Sequence, residues 1–205
     1  METILITGGT GFIGSHTSVS LLNAGFNIIV IDSLVNSSEI ALERVSKICN
    51  LNKEETLNRI KFVNADIRDL VVLDKLFFDA KMSDKPIKSV IHLAGLKSIE
   101  ESLEKPISYW ETNVYGSINL FKTMEKYQCY QIVFSSSASI YGLSKNNLVD
   151  ENSELNPINT YAKTKVAIED ILNQLFNSSP NKWKIACLRY FNPIGAHPSG
   201  LIGEN

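Results

Sequence analysis

The apolar positions of this chain fall into short, β-branched runs separated by longer stretches in which apolar residues recur at helical spacing. Ile4-Leu5-Ile6, Ile28 to Ile31, Phe62-Val63, Val90-Ile91-His92-Leu93, Ile132-Val133-Phe134 and Ile185-Ala186-Cys187-Leu188 are the six strand candidates. Runs that are apolar on both faces suit strands of a parallel sheet buried between helical layers, whereas a half-exposed sheet alternates. Between them lie five stretches long enough for helical crossovers, about residues 13–25, 38–50, 69–82, 107–127 and 160–178. In the fourth, Val114, Ile118, Phe121 and Glu125, with Met124 beside them, form one stripe. In the fifth, Val166, Ile168, Ile171, Leu172, Leu175 and Phe176 do the same. Strand and helix alternating five times predict a doubly wound α/β fold around a parallel sheet, with right-handed crossovers. The Lys and Glu cluster at 52–55 and the polar stretch from Ser144 to Asn159 read as surface loops, with no repeat or low-complexity segment to divide the chain.

Composition changes the picture mainly by exclusion. With 44% apolar and 20% charged side chains over 205 residues, the chain has the material for one large core, and disorder is excluded. Lys and Arg total 20 against 22 Asp and Glu, a net charge of -2, so nothing electrostatic argues for a nucleic-acid or anionic-membrane partner. No apolar run approaches the roughly 18 to 20 residues of a membrane span, and Met1-Glu2-Thr3 does not open a signal peptide. The expectation is a cytoplasmic protein with a small-molecule site. Cys49, Cys129 and Cys187 are far apart and lack CxxC spacing, so they read as buried thiols; His16, His92 and His197 show no metal-ligand spacing and read as structural. No metal site is expected.

The first strand runs straight into Thr7-Gly8-Gly9-Thr10-Gly11-Phe12-Ile13-Gly14. Glycines at 8, 11 and 14 serve a tight strand-to-helix turn, close backbone approach to a pyrophosphate, and packing of helix on strand, with free helix amides facing the phosphates. The pattern alone is weak, but here it follows a strand, opens a helix, and precedes a second strand ending in Asp32, 18 residues after Gly14. A carboxylate there accepts from an adenosine ribose hydroxyl and repels a 2′-phosphate. No Arg or Lys lies between 32 and 43, so NAD is favoured over NADP. Asp66, closing the third strand, either accepts from an adenine amino group or caps the next helix.

Tyr161 and Lys165 stand four residues apart, hence on one helical face. A phenol with a pKa near 10 is a poor base at neutral pH, and an adjacent ammonium together with a cationic nicotinamide ring favours the phenolate needed for hydride transfer at an alcohol carbon. Upstream, the fifth strand ends in Phe134-Ser135-Ser136-Ser137-Ala138-Ser139, at the strand edge where doubly wound folds place ligands. A hydroxyl at Ser137 can sit between substrate and Tyr161.

The glycine loop, the Ser137, Tyr161, Lys165 set and the strand order together resemble the extended short-chain dehydrogenase/reductase family. More specific marks are His92-Leu93-Ala94-Gly95-Leu96-Lys97, Phe134 to Gly142, and Leu188 to Gly200, and the resemblance covers essentially the whole chain. It implies a Rossmann-type NAD-binding domain over residues 1–205, with the start of a substrate-binding region at about 190–205. The implied NAD site comprises Gly8, Gly11, Phe12, Ile13, Gly14, Asp32, Ser33, Leu34, Asn36, Ser37, Asp66, Ile67, Leu93, Ala94, Gly95, Lys97, Asn113, Tyr161 and Lys165. Tyr161 is implied as catalytic base and acid, Lys165 as the group that binds the nicotinamide ribose and lowers the Tyr161 pKa, and Ser137 as a proton relay. Lys97, Ser137, Tyr161, Phe191 and Asn192 are the implied substrate contacts. Thr112 stands where the family pattern has Asn.

The implied reaction is epimerisation at C4 of a UDP-hexose, interconverting UDP-glucose and UDP-galactose through a 4-keto intermediate with NAD regenerated in each turnover. A sibling dehydratase activity needs an Asp-Glu pair after the fifth-strand hydroxyl, where this chain has Ala138-Ser139. The family also implies a homodimer built on the helices at 107–127 and 160–178. Family members continue well beyond Asn205 into a smaller domain that closes over the sugar nucleotide. This chain is therefore expected to be a truncated form with little or no turnover, the alternatives being an NAD-binding fragment without catalysis or another nucleotide-sugar enzyme.

Overall fold

The computed structural model describes residues 1–143 and 148–204. The segment 144–147 of the polar stretch expected as a loop thus lies outside the described residues. Six parallel strands form one sheet: β1 (Thr3–Thr7), β2 (Asn27–Asp32), β3 (Ile60–Asn64), β4 (Ile87–His92), β5 (Gln131–Ser137) and β6 (Lys184–Tyr190), in the order β3-β2-β1-β4-β5-β6. All six sequence candidates are strands. After β3 the chain crosses to the far side of β1, so the connections diverge between β1 and β4. The C-terminal ends of those two strands open a crevice there.

Alternate side chains of the central strands feed two cores. Leu5, Ile29, Ile31, Val90 and Phe134 join the larger cluster, while Ile6, Ile28 and Val30 join the other, so the absence of polar alternation reflects burial on both faces. Helix α1 (Phe12–Asn23) and α2 (Ile40–Ile48) cover the smaller core, to which they contribute Val19, Leu22, Leu42 and Val45. α4 (Leu70–Met82) and α8 (Thr160–Ser178) cover the larger one through Leu73, Leu76, Phe77, Ile168 and Leu172.

Several local expectations are corrected. The Lys and Glu cluster at 52–55 is not a loop but the start of α3 (Lys53–Arg59), nucleated by a reciprocal cap in which Asn52 Oδ1 accepts from Glu55 N and Glu55 Oε2 from Asn52 N. Its seven residues bury no side chain, which is why no hydrophobic period announced it. The expected continuous helix at 107–127 is three pieces: α6 (Pro106–Tyr109), a π-helical turn at Trp110–Tyr115, and α7 (Gly116–Lys126). A preceding α5 (Ile99–Glu104), N-capped by Ser98, was not expected either. The π turn shifts the helical phase, and the face of α7 that packs inward is Ser117, Leu120, Phe121 and Met124, with Glu125 exposed rather than in the stripe. Only Cys129 of the three thiols is buried; Cys49 and Cys187 are half-buried, and all three are free.

Beyond β6 the chain doubles back through an isolated antiparallel bridge, Ala196 to Gly203. Ile202 is buried in the α1 and α2 core, and Leu201 O accepts from Arg44 Nη1 at 3.1 Å. This return brings Glu204 to the crevice. Among the described residues no helix is long and apolar enough to cross a membrane.

Candidate active site

The crevice is a cleft of about 980 Å³ running across the C-terminal ends of β1, β2, β4 and β5. Its floor at one end is the glycine turn. Gly8 adopts φ +69, and a Cβ there would sit 2.7 Å from Ala94 N on the neighbouring loop. A Cβ on Gly14 would meet Gly8 O at 2.5 Å, so α1 can lie against the turn only without one. The N-terminus of α1 carries no side-chain cap and no acidic residue in its first turn, and opens into the cleft at Phe12, Ile13 and Gly14.

Asp32 closes β2 with its carboxylate held in place: Oδ2 accepts from Thr10 N at 3.1 Å, and Oδ1 from Leu34 N and Ser37 Oγ, each at 3.0 Å. Three bonds leave acceptor capacity on the carboxylate. Ser37 and Leu34 thus buttress Asp32, while Ser33, Val35 and Asn36 line the cleft. Asp66 and Ile67 line the same end. Asp66 neither caps a helix, a role taken by Asp69 for α4, nor stands free. Arg68 grips both its oxygens, at 3.0 and 2.7 Å, and that hydrogen-bonded cation holds the carboxyl below its ordinary range against the opposing effect of burial.

The opposite end holds Ser137, Tyr161 and Lys165, all in the cleft wall. Ser137 ends β5 and caps the short 3₁₀ turn Ala138–Tyr141; its Oγ accepts from Ser139 Oγ at 2.9 Å and from Ser139 N at 3.2 Å. Its own proton is therefore not used within this pair, and Tyr161 lines the same end of the cleft. Burial raises the Tyr161 phenol, and the Ser137 hydroxyl nearby pulls the other way. Lys165, 5% exposed, donates from Nζ to Ser135 O at 2.7 Å. Burial pushes it down to about 8, the Glu169 carboxylate one turn along opposing. Lys165 is tethered to the β5 backbone, and its Nζ lies over the Tyr161 ring, 5.7 Å from its centre.

Leu93, Ala94, Gly95 and Lys97 form the wall between the two ends. Asn113 stands behind the cleft wall. Fully buried behind this wall, it accepts from Leu96 N at 2.8 Å and donates to Leu96 O at 3.0 Å, while Thr112 faces the cleft. Phe191 and Asn192 are exposed at the far rim, and Lys97 faces Glu204 across 3.9 Å. Arg68, Glu101, Lys105, Tyr190 and Ile194 also line the cleft and were missed. Only Arg68, two residues after Asp66, carried a sequence signal; Glu101 and Lys105 arrive on or beside a helix too short to show one.

A family model described as GDP-mannose 4,6 dehydratase matches residues 5–204. The chain is 46% identical to "UDP-glucose 4-epimerase 1" of Oryza sativa subsp. japonica, covering 100% of this chain and 55% of that one. It is also 46% identical to "UDP-glucose 4-epimerase" of Bacillus subtilis (strain 168), with 98% and 56% covered. The crystal structure of UDP-glucose 4-epimerase from Bifidobacterium longum in complex with NAD+ and UDP superposes with a TM-score of 0.88 at 40% identity, covering 99% of this chain and 57% of that one. The chain spans about half the length of the curated relatives it matches.

Proposed function

Because the chain belongs to the GDP-mannose 4,6 dehydratase family, we propose that its cleft holds NAD and works at C4 of a UDP-hexose, epimerising UDP-glucose and UDP-galactose. The observation that carries this reading is the convergence, in one cleft, of the glycine turn and Asp32 with Ser137, Tyr161 and Lys165. The residues suit the dinucleotide. Gly8 and Gly14 leave a cradle that any Cβ would fill, the uncapped N-terminus of α1 faces it, and Asp32 retains an acceptor for a ribose hydroxyl. Ser136 Oγ, buried in the cleft wall, has no hydrogen-bond partner among the described residues.

Bound there, NAD supplies a reversible hydride acceptor, so that oxidation and reduction at one carbon cancel. Tyr161, as the phenolate, would take the C4 hydroxyl proton and return it, and Ser137, its oxygen already accepting twice from Ser139, would donate toward that oxygen and stabilise the phenolate before the proton is taken and after it is returned. Lys165, anchored on Ser135 O, supplies positive charge behind Tyr161. Phe191 and Asn192 lie where the sugar nucleotide enters. Dehydration is the reading that the family's name also allows. The Ala138-Ser139 pair supplies no carboxylate for elimination, which favours epimerisation.

The test is to mix the chain with NAD and UDP-galactose and follow both sugar and cofactor. Expected is NAD binding, with any sugar that turns over giving UDP-glucose without net NADH. Net NADH would make it a dehydrogenase, a 4-keto-6-deoxy sugar a dehydratase, and failure to bind NAD would overturn the reading. We place the protein in the cytoplasm as a homodimer. Supporting the dimer is a shallow apolar depression between Trp110, Val114, Tyr115 and Ile118, with Trp110 41% and Tyr115 52% exposed. Trp110→Asp is expected to convert the dimer to monomer in sedimentation; a monomeric parent would refute it.

A further inference from the structure

His92 ends β4 as the centre of a buried chain of hydrogen bonds. Its Nδ1 is 2.7 Å from Thr7 Oγ1 and its Nε2 is 2.8 Å from Ser117 Oγ. Ala94 N donates to Thr7 Oγ1 at 3.1 Å, and Ser117 Oγ donates to Asn113 O. The end groups fix the direction of every proton between them. Asn113 O can only accept, so the Ser117 proton points to it and Ser117 Oγ must accept from His92 Nε2–H. The other ring nitrogen is then bare, and accepts from the Thr7 hydroxyl, whose oxygen takes the Ala94 N–H. Aligned in one sense, such bonds reinforce one another. A second proton on the ring would leave Thr7 Oγ1 facing two N–H groups and place a charge in a site where His92 is 1% exposed, packed by Phe121 and Phe134. The charged group that acts on it is Lys165 on α8, of the same sign as an imidazolium; burial and that cation hold the ring down at about 3.

Both ends of this chain grip one loop. Ala94 is held through Thr7, and Leu96 through the side chain of Asn113, whose backbone carbonyl ends the relay. Ala94 N is also the atom nearest to where a Gly8 Cβ would stand, so the position of this loop sets the width of the cleft at the glycine turn. We infer that His92, as the neutral Nε2–H tautomer, is a positioning residue that fixes the 93–96 wall against the glycine turn and thereby sets dinucleotide affinity. The affinity half of this inference rests on the proposed NAD site; the wall half does not.

The decisive measurement on the unaltered chain is the long-range ¹H–¹⁵N spectrum of its histidines at neutral pH, where His92 should show Nε2–H and a bare Nδ1. An Nδ1–H tautomer or an imidazolium would overturn the relay. His92→Phe keeps the ring among Phe121 and Phe134 but removes both bonds. It should speed amide exchange at Ala94 and Leu96 and weaken NAD binding by about tenfold or more, the scale of one lost buried hydrogen bond. Thr7→Val and Ser117→Ala should each give the same two effects, and the double variant should add little to either. Unchanged exchange in folded His92→Phe refutes the positioning role, as does unchanged affinity beside an unaltered chain that binds NAD. If the unaltered chain does not bind NAD, the dinucleotide reading falls and the affinity half with it, while tautomer and exchange still decide the wall.

Discussion

Each catalytic candidate is shaped by a neighbour that its own motif does not contain. Ser137 can donate to Tyr161 because Ser139 already occupies its acceptor sites, and Lys165 is tied to Ser135 O before any ligand arrives. Tyr161→Phe removes the proposed acid and base, so any UDP-hexose turnover should fall by about 100-fold or more, with NAD binding retained; near-normal turnover in that variant would refute the assignment. The buried bases also set a pH dependence. His92 and Lys165 both lie below their ordinary values, at about 3 and about 8, so the folded chain holds fewer protons than the unfolded one between those values and the ordinary ones. Stability therefore rises with pH in both windows: from about 3 to 6.5 through His92, and from about 8 to 10.5 through Lys165. Lys165→Met should flatten the alkaline rise in urea-unfolding curves, and an unchanged slope would show that Lys165 titrates normally. Gly14→Ala forces a methyl into Gly8 O. Overpacking of this kind costs about 1 to 3 kcal/mol, and we expect it to appear as weaker NAD binding together with a lower melting temperature in calorimetry.

At the scale of elements, what matters is where regular structure is interrupted. The π turn at Trp110–Tyr115 lets neighbouring residues serve opposite purposes: Thr112 lines the cleft, Asn113 reaches under the 93–96 loop, and Trp110 and Tyr115 turn outward. A regular helix was the natural expectation for 107–127 because the apolar spacing from Val114 onward is helical; the π turn comes with Asn113 bonded beneath Leu96. Helix α3 is the opposite case, held by its cap and not by packing. Asn52→Ala, which removes a cap worth typically about 1 kcal/mol, should raise amide exchange over 53–59 and barely move the global unfolding midpoint, since the helix buries nothing. A large loss of global stability would show that α3 is coupled to the core.

For the molecule as a whole, the cleft exists because one connection leaps from β3 to β4, leaving the ends of β1 and β4 without a crossover between them. Ligand binding there should stabilise the whole fold, so NAD at about 100 times its dissociation constant is expected to add about 2.7 kcal/mol, read as a rise in melting temperature; no rise would count against the site. The alternation of β-branched runs with helical stretches was enough to find the six strands, because β1 and β2 are buried on both faces and each of the others keeps a short apolar run of its own. The spacing of Gly8, Gly14 and Asp32, and of Tyr161 and Lys165, marked residues that line the two ends of the cleft, because each set sits in a strand-to-helix turn, at a strand end or on one helical face. The sequence could not tell which candidates face the ligand and which stand behind it. Ser37 and Asn113 became supports, Lys165 turned to Ser135, and His92, unremarkable as a lone histidine, became the centre of a relay. Those roles depend on which side chains from distant segments meet within hydrogen-bond reach. That is decided by the register of the sheet and the phase of the helices against it, quantities that appear only when the whole chain has packed.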